Sequence, residues 1–234
     1  MRALEILAFG PLSAPQLALA LQSHPRTVRR LLARLEEEGY LTISQDGRRR
    51  YELTMRLVAL AGQVVENSTL ARRARPYVTA LHERTGLTAH LAVPSYRSVL
   101  CLVHQAPEMT DVRPQLRELV PAHCTAGGKV LLAFRERWRD SVLADRALER
   151  QTDRTVVDPA ALRRELDVTR DRGYATEDGE FQLGVRAVAA PVFIDGDPAA
   201  ALAASGRELD LDRSAAAVVA FAGQLGEDLS GPAQ

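Results

Sequence analysis

The segment 27–41 restricts the fold of this chain more than any other part of the sequence. Apolar residues recur in it at i, i+3, i+4 and i+7, which places them on one stripe of a helix. These residues are Val28, Leu31, Leu32 and Leu35. Gly39 favours a left-handed helix stop, and the chain then alternates like a strand. A solvated amphipathic helix has the same periodicity, so the flanking segments must decide between that interpretation and a DNA-recognition helix.

Basic residues on the opposite side of this helix would face DNA. An α-helix fits the major groove of B-DNA, where its exposed side chains meet base edges and phosphates. The residues predicted to make these contacts are Arg26, Thr27, Arg29 and Arg30.

The flanking segments complete a winged helix-turn-helix pattern. Two short apolar helices separated by Gly10-Pro11 come first, and Pro25 suits the first turn of a third helix. Asp46-Gly47 is then a two-residue hairpin signal between alternating strands. The returning strand opens with basic side chains suited to phosphates or a minor groove. These are Arg48, Arg49 and Arg50. The order of the elements predicts a winged helix-turn-helix DNA-binding domain at residues 1–60.

Length, charge and cysteine content fit a two-domain cytoplasmic protein. The chain has 234 residues, of which 46% are hydrophobic. A winged helix uses roughly 60 residues, so a second domain with its own core is expected. The net charge is zero, but residues 1–60 carry nine Arg against six acidic residues. Two cysteines are too few for a disulfide framework, and no apolar run could span a bilayer, so we expect no membrane partner.

Beyond this region, helical and strand patterns alternate. Residues 61–69 form a predicted helical linker, and residues 70–234 form a predicted second domain. The apolar face of residues 57–65 is expected to form part of a dimer surface, because a solvent-facing helix does not explain so much apolar surface. A further extended segment is predicted at 110–119, where Pro114 restricts it to a sheet edge. Together the patterns predict an α+β protein.

Three motifs in this order resemble the isocitrate-lyase-regulator (IclR) family of bacterial transcription factors. The first is TVRRLL at 27–32 with EGYL at 38–41. The second is PAHCTAGGKVLLA at 121–133, and the third is RGYATEDGEF at 172–181. The resemblance extends over nearly the whole chain, from Ala3 to about Leu229.

The resemblance implies a homodimer or homotetramer whose winged helices bind operator DNA, and a GAF-like α/β domain that binds a small effector. The effector residues that it implies are Val120, Ala126, Gly127, Glu177, Ala187, Ala203 and Ser205. Backbone N–H groups near Gly127 can hold a carboxylate, and Ser205 can add a hydroxyl. Glu177 stands where relatives often have Asp, and Ala203 where some have serine. We therefore expect a larger or partly apolar effector, an organic acid or aromatic metabolite.

Catalytic and metal-binding alternatives match the sequence less well. The stretch 127–129 lacks the glycine and hydroxyl residue that a Walker A loop needs at positions 123 and 130. Cys101 and His104 could bind zinc together with His123-Cys124, but an adjacent pair cannot readily chelate one ion. If that pair lies on a strand, its side chains point to opposite faces, which disfavours a nucleophile with its base. We expect no catalytic residue, cofactor or metal.

Two functional classes remain open. One is a ligand-responsive DNA-binding regulator, expected to repress a metabolic operon because repression is the common habit of the family. The other is a small-molecule enzyme or sensor that carries a basic helical domain. The basic hairpin favours the regulator, since an enzyme has no evident need for it.

Overall fold

The chain forms two compact units. The computed structural model describes residues 2–44, 48–108, 112, 119–144 and 147–231. The first unit is Met1–Ser68 and the second is Thr69–Gln234. In the described part of the chain, no helix combines the length and the apolarity needed to cross a membrane.

The first unit consists of three helices, a β-hairpin and a fourth helix. Its helices and strands are α1 (Arg2–Leu7), α2 (Ala14–Ala20), α3 (Pro25–Glu37), β1 (Leu41–Ile43), β2 (Tyr51–Leu53) and α4 (Arg56–Glu66). Strands β1 and β2 are antiparallel, with Leu41 opposite Leu53. The turn predicted at Asp46-Gly47 lies outside the described residues.

Helix α3 begins and ends where its sequence indicates. His24 caps it by accepting a hydrogen bond from the Arg26 N–H at 3.2 Å, and Pro25 occupies the first turn. Gly39 follows with a φ of +77°, the left-handed conformation that glycine adopts most easily. The local signals at both ends therefore agree with the helix.

Only part of the predicted apolar stripe of α3 is buried in the core of the first unit. Val28 and Leu32 are buried in it, and Leu35 packs against it partly buried. Leu31 was expected on the buried side but is 39% exposed. It lies at the border of the stripe, because a helix with one neighbouring core buries fewer residues than its periodicity suggests.

Helix α4 carries an apolar face that this single chain leaves exposed. None of its residues is buried. Leu60 and Val64, one turn apart on the same side, are 45% and 65% exposed, and Val58 on the other side is 51% exposed. The face expected at residues 57–65 is therefore present, and it faces outward.

The second unit is built around one antiparallel sheet. Its strands are β3 (Thr88–Ser95), β4 (Ser98–Gln105), β5 (Leu119–Pro121), β6 (Ala175–Asp178), β7 (Arg186–Ile194) and β8 (Asp197–Gly206). They lie in the order β5-β4-β3-β8-β7-β6. Of the extended segment predicted at 110–119, Val112 and Leu119 are described, and Leu119 begins the edge strand β5.

Helices cover both faces of this sheet. They are α5 (Thr69–Thr85), α6 (Ala126–Phe134), α7 (Glu136–Leu143), α8 (Pro159–Arg172) and α9 (Leu211–Ser230). Residues 187–192 of β7 are all buried, although consecutive strand residues point to opposite faces. Helix α6 packs on one face with Ala187, Ala189 and Ala201, and α9 packs against β7 and α5. The predicted α+β class is confirmed.

Candidate functional site

The first candidate surface is the outward face of α3. The four residues predicted to contact DNA are all exposed, namely Arg26, Thr27, Arg29 and Arg30. The three arginines stand at i, i+3 and i+4, so they share one side of the helix. Val28 and Leu32 are 1% and 0% exposed and hold the helix to the core. The arrangement presents guanidinium groups that can meet phosphates or guanine edges.

The hairpin carries the second basic group. Arg48 and Arg49 are exposed, and Arg50 is partly buried. The Arg50 carbonyl accepts a hydrogen bond from the Ser44 N–H at 2.8 Å, so pairing extends one residue beyond each strand. The first unit therefore holds two sets of arginines, one on a helix and one on a hairpin.

The second candidate site is a cavity of about 90 Å³ in the second unit. Six of the seven predicted effector residues line it, namely Val120, Ala126, Gly127, Glu177, Ala187 and Ser205. The fold brings these positions together from across more than eighty residues of sequence. Ala203 does not line the cavity. It lies two residues before Ser205 on β8, where its methyl group is fully buried in the core cluster.

Two adjacent glycines let the start of α6 reach the cavity. The Thr125 hydroxyl caps this helix by accepting a hydrogen bond from the Gly128 N–H at 3.3 Å. A Cβ on Gly127 would meet the Ala92 Cβ at 3.3 Å, a tight contact beside the cavity. A Cβ on Gly128 would overlap the backbone of Ala122. Gly127 thus leaves room at the site, whereas Gly128 is needed for the close approach of two backbone segments.

Glu177 supplies the carboxyl group of the cavity. It is 4% exposed, and its Oε1 accepts hydrogen bonds from the backbone N–H groups of Glu180 at 2.6 Å and Phe181 at 3.0 Å. Burial raises the pKa of Glu177 to about 7, although the two N–H donors oppose the rise. The carboxyl group is therefore held in one orientation and exchanges its proton near neutral pH.

Lys129 is the buried centre of an ion-pair cluster behind the cavity. It is 0% exposed, and its Nζ lies 2.6 Å from Glu165 Oε1 on α8 and 2.5 Å from Glu180 Oε1. Burial raises the pKa of Glu180, and the Lys129 ammonium opposes this rise. Thr155 Oγ1 also donates a hydrogen bond to the Glu180 carbonyl at 2.7 Å. Since the Glu180 N–H binds Glu177, the cluster fixes the loop that holds the cavity carboxyl. The sequence interpretation of 127–129 as a failed phosphate loop missed this role.

Two titratable residues of the lining were also missed, His90 on β3 and Cys101 on β4. Burial, and to a smaller extent His104, lower the pKa of His90 to about 4, so its ring is neutral. Burial raises the pKa of Cys101 to about 12, so its sulfur is an unreactive thiol. The alternation of side chains along a strand could have indicated them, because every second residue faces the same side of the sheet. Residues 90 and 92 line the cavity from β3, and residues 99 and 101 line it from β4.

The remaining chemical candidates do not form a site. Among the described residues, no group of three His, Cys, Asp or Glu side chains could hold a metal ion. His123 and Cys124 lie on a 3₁₀ helix, Ala122–Cys124, so the strand considered for them was wrong. The chain turns there to pass from β5 into α6. His123 Nε2 lies 2.8 Å from the Glu149 carbonyl oxygen, which is a structural contact.

Known proteins are similar to this chain in sequence and in fold. Residues 62–230 match the model of the C-terminal domain of IclR bacterial transcriptional regulators. The chain is 34% identical over 197 residues to the glycerol operon regulatory protein of Streptomyces coelicolor, which covers 81% of this chain and 75% of that protein.

Two solved structures of IclR-family proteins are similar to this chain in fold. One is an IclR transcriptional regulator from Silicibacter sp., with a TM-score of 0.82 and 27% identity over 99% of this chain and 96% of that one. The other is an IclR homologue from Microbacterium hydrocarbonoxydans complexed with 4-hydroxybenzoate, with a TM-score of 0.70 and 25% identity over 94% and 91% of the two chains. As expected, the relatives are named as regulators of transcription and not as enzymes. This chain therefore belongs to the IclR family of bacterial transcriptional regulators.

Proposed function

We propose that this regulator binds operator DNA through a winged helix-turn-helix in its first unit, with α3 as the recognition helix. The observation that carries the proposal is the exposed face of α3, where Arg26, Arg29 and Arg30 stand together. Bidentate contact of arginine with guanine is a common source of base specificity. The hairpin arginines 48–50 would contact phosphates or a minor groove, which adds affinity for any sequence.

The cavity of the second unit is the proposed effector site, and the protein is proposed to act in the cytoplasm as a repressor of a metabolic operon. The Microbacterium relative with bound 4-hydroxybenzoate and the operon named for the Streptomyces relative support this assignment. An effector changes operator affinity only by binding the DNA-competent and DNA-incompetent arrangements differently, which typically supplies about 1–3 kcal/mol of coupling.

A second copy of this chain is the proposed occupant of the apolar face of α4. Symmetric dimers read two half-sites of an operator, and one winged helix alone contacts too short a site for selectivity. A dimer packed on this face would remove Leu60 and Val64 from water. Sedimentation at micromolar concentration should give a species of at least twice 25.6 kDa. Val64→Glu should shift it toward the monomer, whereas a monomeric parent would contradict the assignment.

Selection of DNA fragments by the purified full chain tests the function as a whole. Duplexes from a random pool are enriched at two salt concentrations, sequenced and footprinted. We expect an inverted repeat whose half-sites lie about 34–36 Å, or a multiple of this distance, apart. Enrichment without any common sequence would contradict sequence-specific operator binding.

A further inference from the structure

The two oxygens of the Glu177 carboxyl group differ in their surroundings. Oε1 accepts both backbone hydrogen bonds, from Glu180 and Phe181. Oε2 has no hydrogen-bond partner within the described ranges, and Glu177 lines the cavity. Oε2 is not one of the buried atoms that lack a partner, so it stays accessible and can accept a hydrogen bond from a molecule in the cavity. Oε2 is therefore one atom that a bound molecule can meet, and the Nδ1 of His90 in the same lining, which is unpartnered among the described residues, is another.

The charged and titratable groups around Glu177 leave a surplus of negative charge. The buried and partly buried ones are Glu180 in the loop after β6, Lys129 on α6, Glu165 on α8, Cys124 on the 3₁₀ helix, His90 on β3 and Cys101 on β4. On the neighbouring strand β7, Arg186 pairs with Asp178, which also pairs with Arg154, but these side chains are about half exposed and water screens them. The imidazole and the two thiols are uncharged. Three carboxyl groups thus share one ammonium group, which already pairs with two of them. A ligand carboxylate would add a further negative charge to this cluster.

The size of the cavity limits the ligand. An apolar cavity of about 150 Å³ holds a benzene molecule. The cavity here measures about 90 Å³, so its space is smaller than that and favours a compact ligand. Small apolar side chains such as Ala92, Val99 and Ala187 form much of its wall, and Ser205 adds a hydroxyl two strands away from Glu177. The lining suits a short carbon skeleton with few polar groups.

We propose that the effector of this regulator is a small uncharged molecule whose hydroxyl group donates a hydrogen bond to Glu177 Oε2. This proposal rests on the effector role proposed for the cavity. It departs from the organic acid or aromatic metabolite expected from the family resemblance. Glu177 is the group that selects a donor over an anion, and Lys129 positions it through Glu180.

Matched probes on the full chain test this choice of ligand class. Propane-1,2-diol and lactate have similar size, and the second carries the negative charge. Binding of each is measured by ligand-observed NMR at pH 6 and pH 8, for the parent and for Glu177→Gln. Glu83→Gln, an exposed residue on α5, is the matched control.

The diol should bind more tightly at high pH, because an ionised carboxylate is the stronger acceptor. With a pKa of about 7 for Glu177, the gain from pH 6 to pH 8 should approach about tenfold. Glu177→Gln should abolish this pH dependence, and Glu83→Gln should keep it. In the parent, ¹³C NMR of labelled Glu177 should show its pKa fall when the diol is added.

Three results would overturn the proposal. The first is that lactate binds more tightly than the diol and that the affinity for lactate rises toward pH 6. The second is that the parent and Glu177→Gln bind the diol with the same affinity. The third is that neither probe changes the pKa of Glu177. The binding measurements contain no DNA, so the two proposals can fail separately. If the DNA selection fails but the diol binds as expected, only the operator function is rejected. If the DNA selection succeeds but the diol does not bind as expected, only the ligand class is rejected.

Discussion

The two candidate sites treat charge in opposite ways. The arginines of α3 lie in water, where salt screens them and pairing contributes little to stability. At the cavity, Lys129 and Glu177 are buried, where loss of hydration shifts pKa values and an unpaired charge is expensive. Activity at the first surface should therefore depend on ionic strength, and activity at the second on pH and packing.

The largest difference should appear when one ion pair from each unit is broken. Lys129→Met leaves the partly buried Glu165 and Glu180 without their cation, which should lower the free energy of unfolding by about 3 kcal/mol, discounted for the water that reaches Glu165. Arg34→Met breaks an exposed pair with Glu38 and should cost about 0.5 kcal/mol or less. Urea unfolding followed by far-ultraviolet circular dichroism measures both variants, and the single tryptophan, Trp138, reports on the second unit. Equal losses of unfolding free energy in the two variants would contradict the claim that charge matters more for stability at the cavity than on the surface of the first unit.

The adjacent glycines test packing at the cavity itself. Gly128→Ala forces a methyl group into the Ala122 backbone, so it should destabilise the second unit by about 3 kcal/mol. Gly127→Ala meets only the Ala92 methyl group and should cost about 1 kcal/mol or less while narrowing the cavity. Trp138 fluorescence during urea unfolding measures both. A larger loss for Gly127→Ala would show that the two roles are reversed.

Stability should depend on pH through Glu177. Its pKa is raised from 4.5 to about 7 in the fold, so its contribution to stability is complete below 4.5 and is lost as pH rises through 7. Between pH 5 and pH 8 the parent should lose about 2 kcal/mol of unfolding free energy relative to Glu177→Gln. Paired unfolding curves at the two pH values measure the difference. Parallel pH profiles for the two proteins would contradict the raised pKa.

The smallest expected effect lies on the hairpin. Arg49→Ala should weaken binding to all DNA sequences about equally and reduce the salt slope of binding by about one. Fluorescence anisotropy with specific and non-specific duplexes at several salt concentrations measures the slope. A change confined to the specific duplex would assign Arg49 to base recognition instead.

Features set by neighbouring residues could be predicted from the sequence. Asp158 caps α8 by accepting hydrogen bonds from the Ala160 and Ala161 N–H groups, and Gly173 ends the helix with a φ of +83°, as the local sequence indicates. The basic side of α3 follows from periodicity in the same way. Both depend on contacts within a few residues, for which local signals are sufficient.

Features set by distant residues could not be predicted. Glu165 and Glu180 are 36 and 51 residues from Lys129, and nothing in their spacing indicates a shared buried site. The family position of Ala203 predicts a place in the cavity lining, but other members of the core cluster cover its methyl group completely. The exposure of Leu31 likewise depends on what packs against α3, which periodicity does not give. Tertiary packing decided all three cases.

Operator binding by an Arg29→Ala and Arg30→Ala double variant tests the central claim most directly. The control is Arg163→Ala with Arg164→Ala, which removes the same charge from the exposed side of α8 in the second unit. Both are titrated with the selected DNA site at matched salt, after Trp138 fluorescence and circular dichroism confirm folding. The α3 variant should lose about 1–3 kcal/mol for each arginine that reads a base and should relax its sequence preference, while the control binds like the parent. A folded α3 variant that binds the site as tightly as the parent would contradict the assignment of DNA recognition to α3.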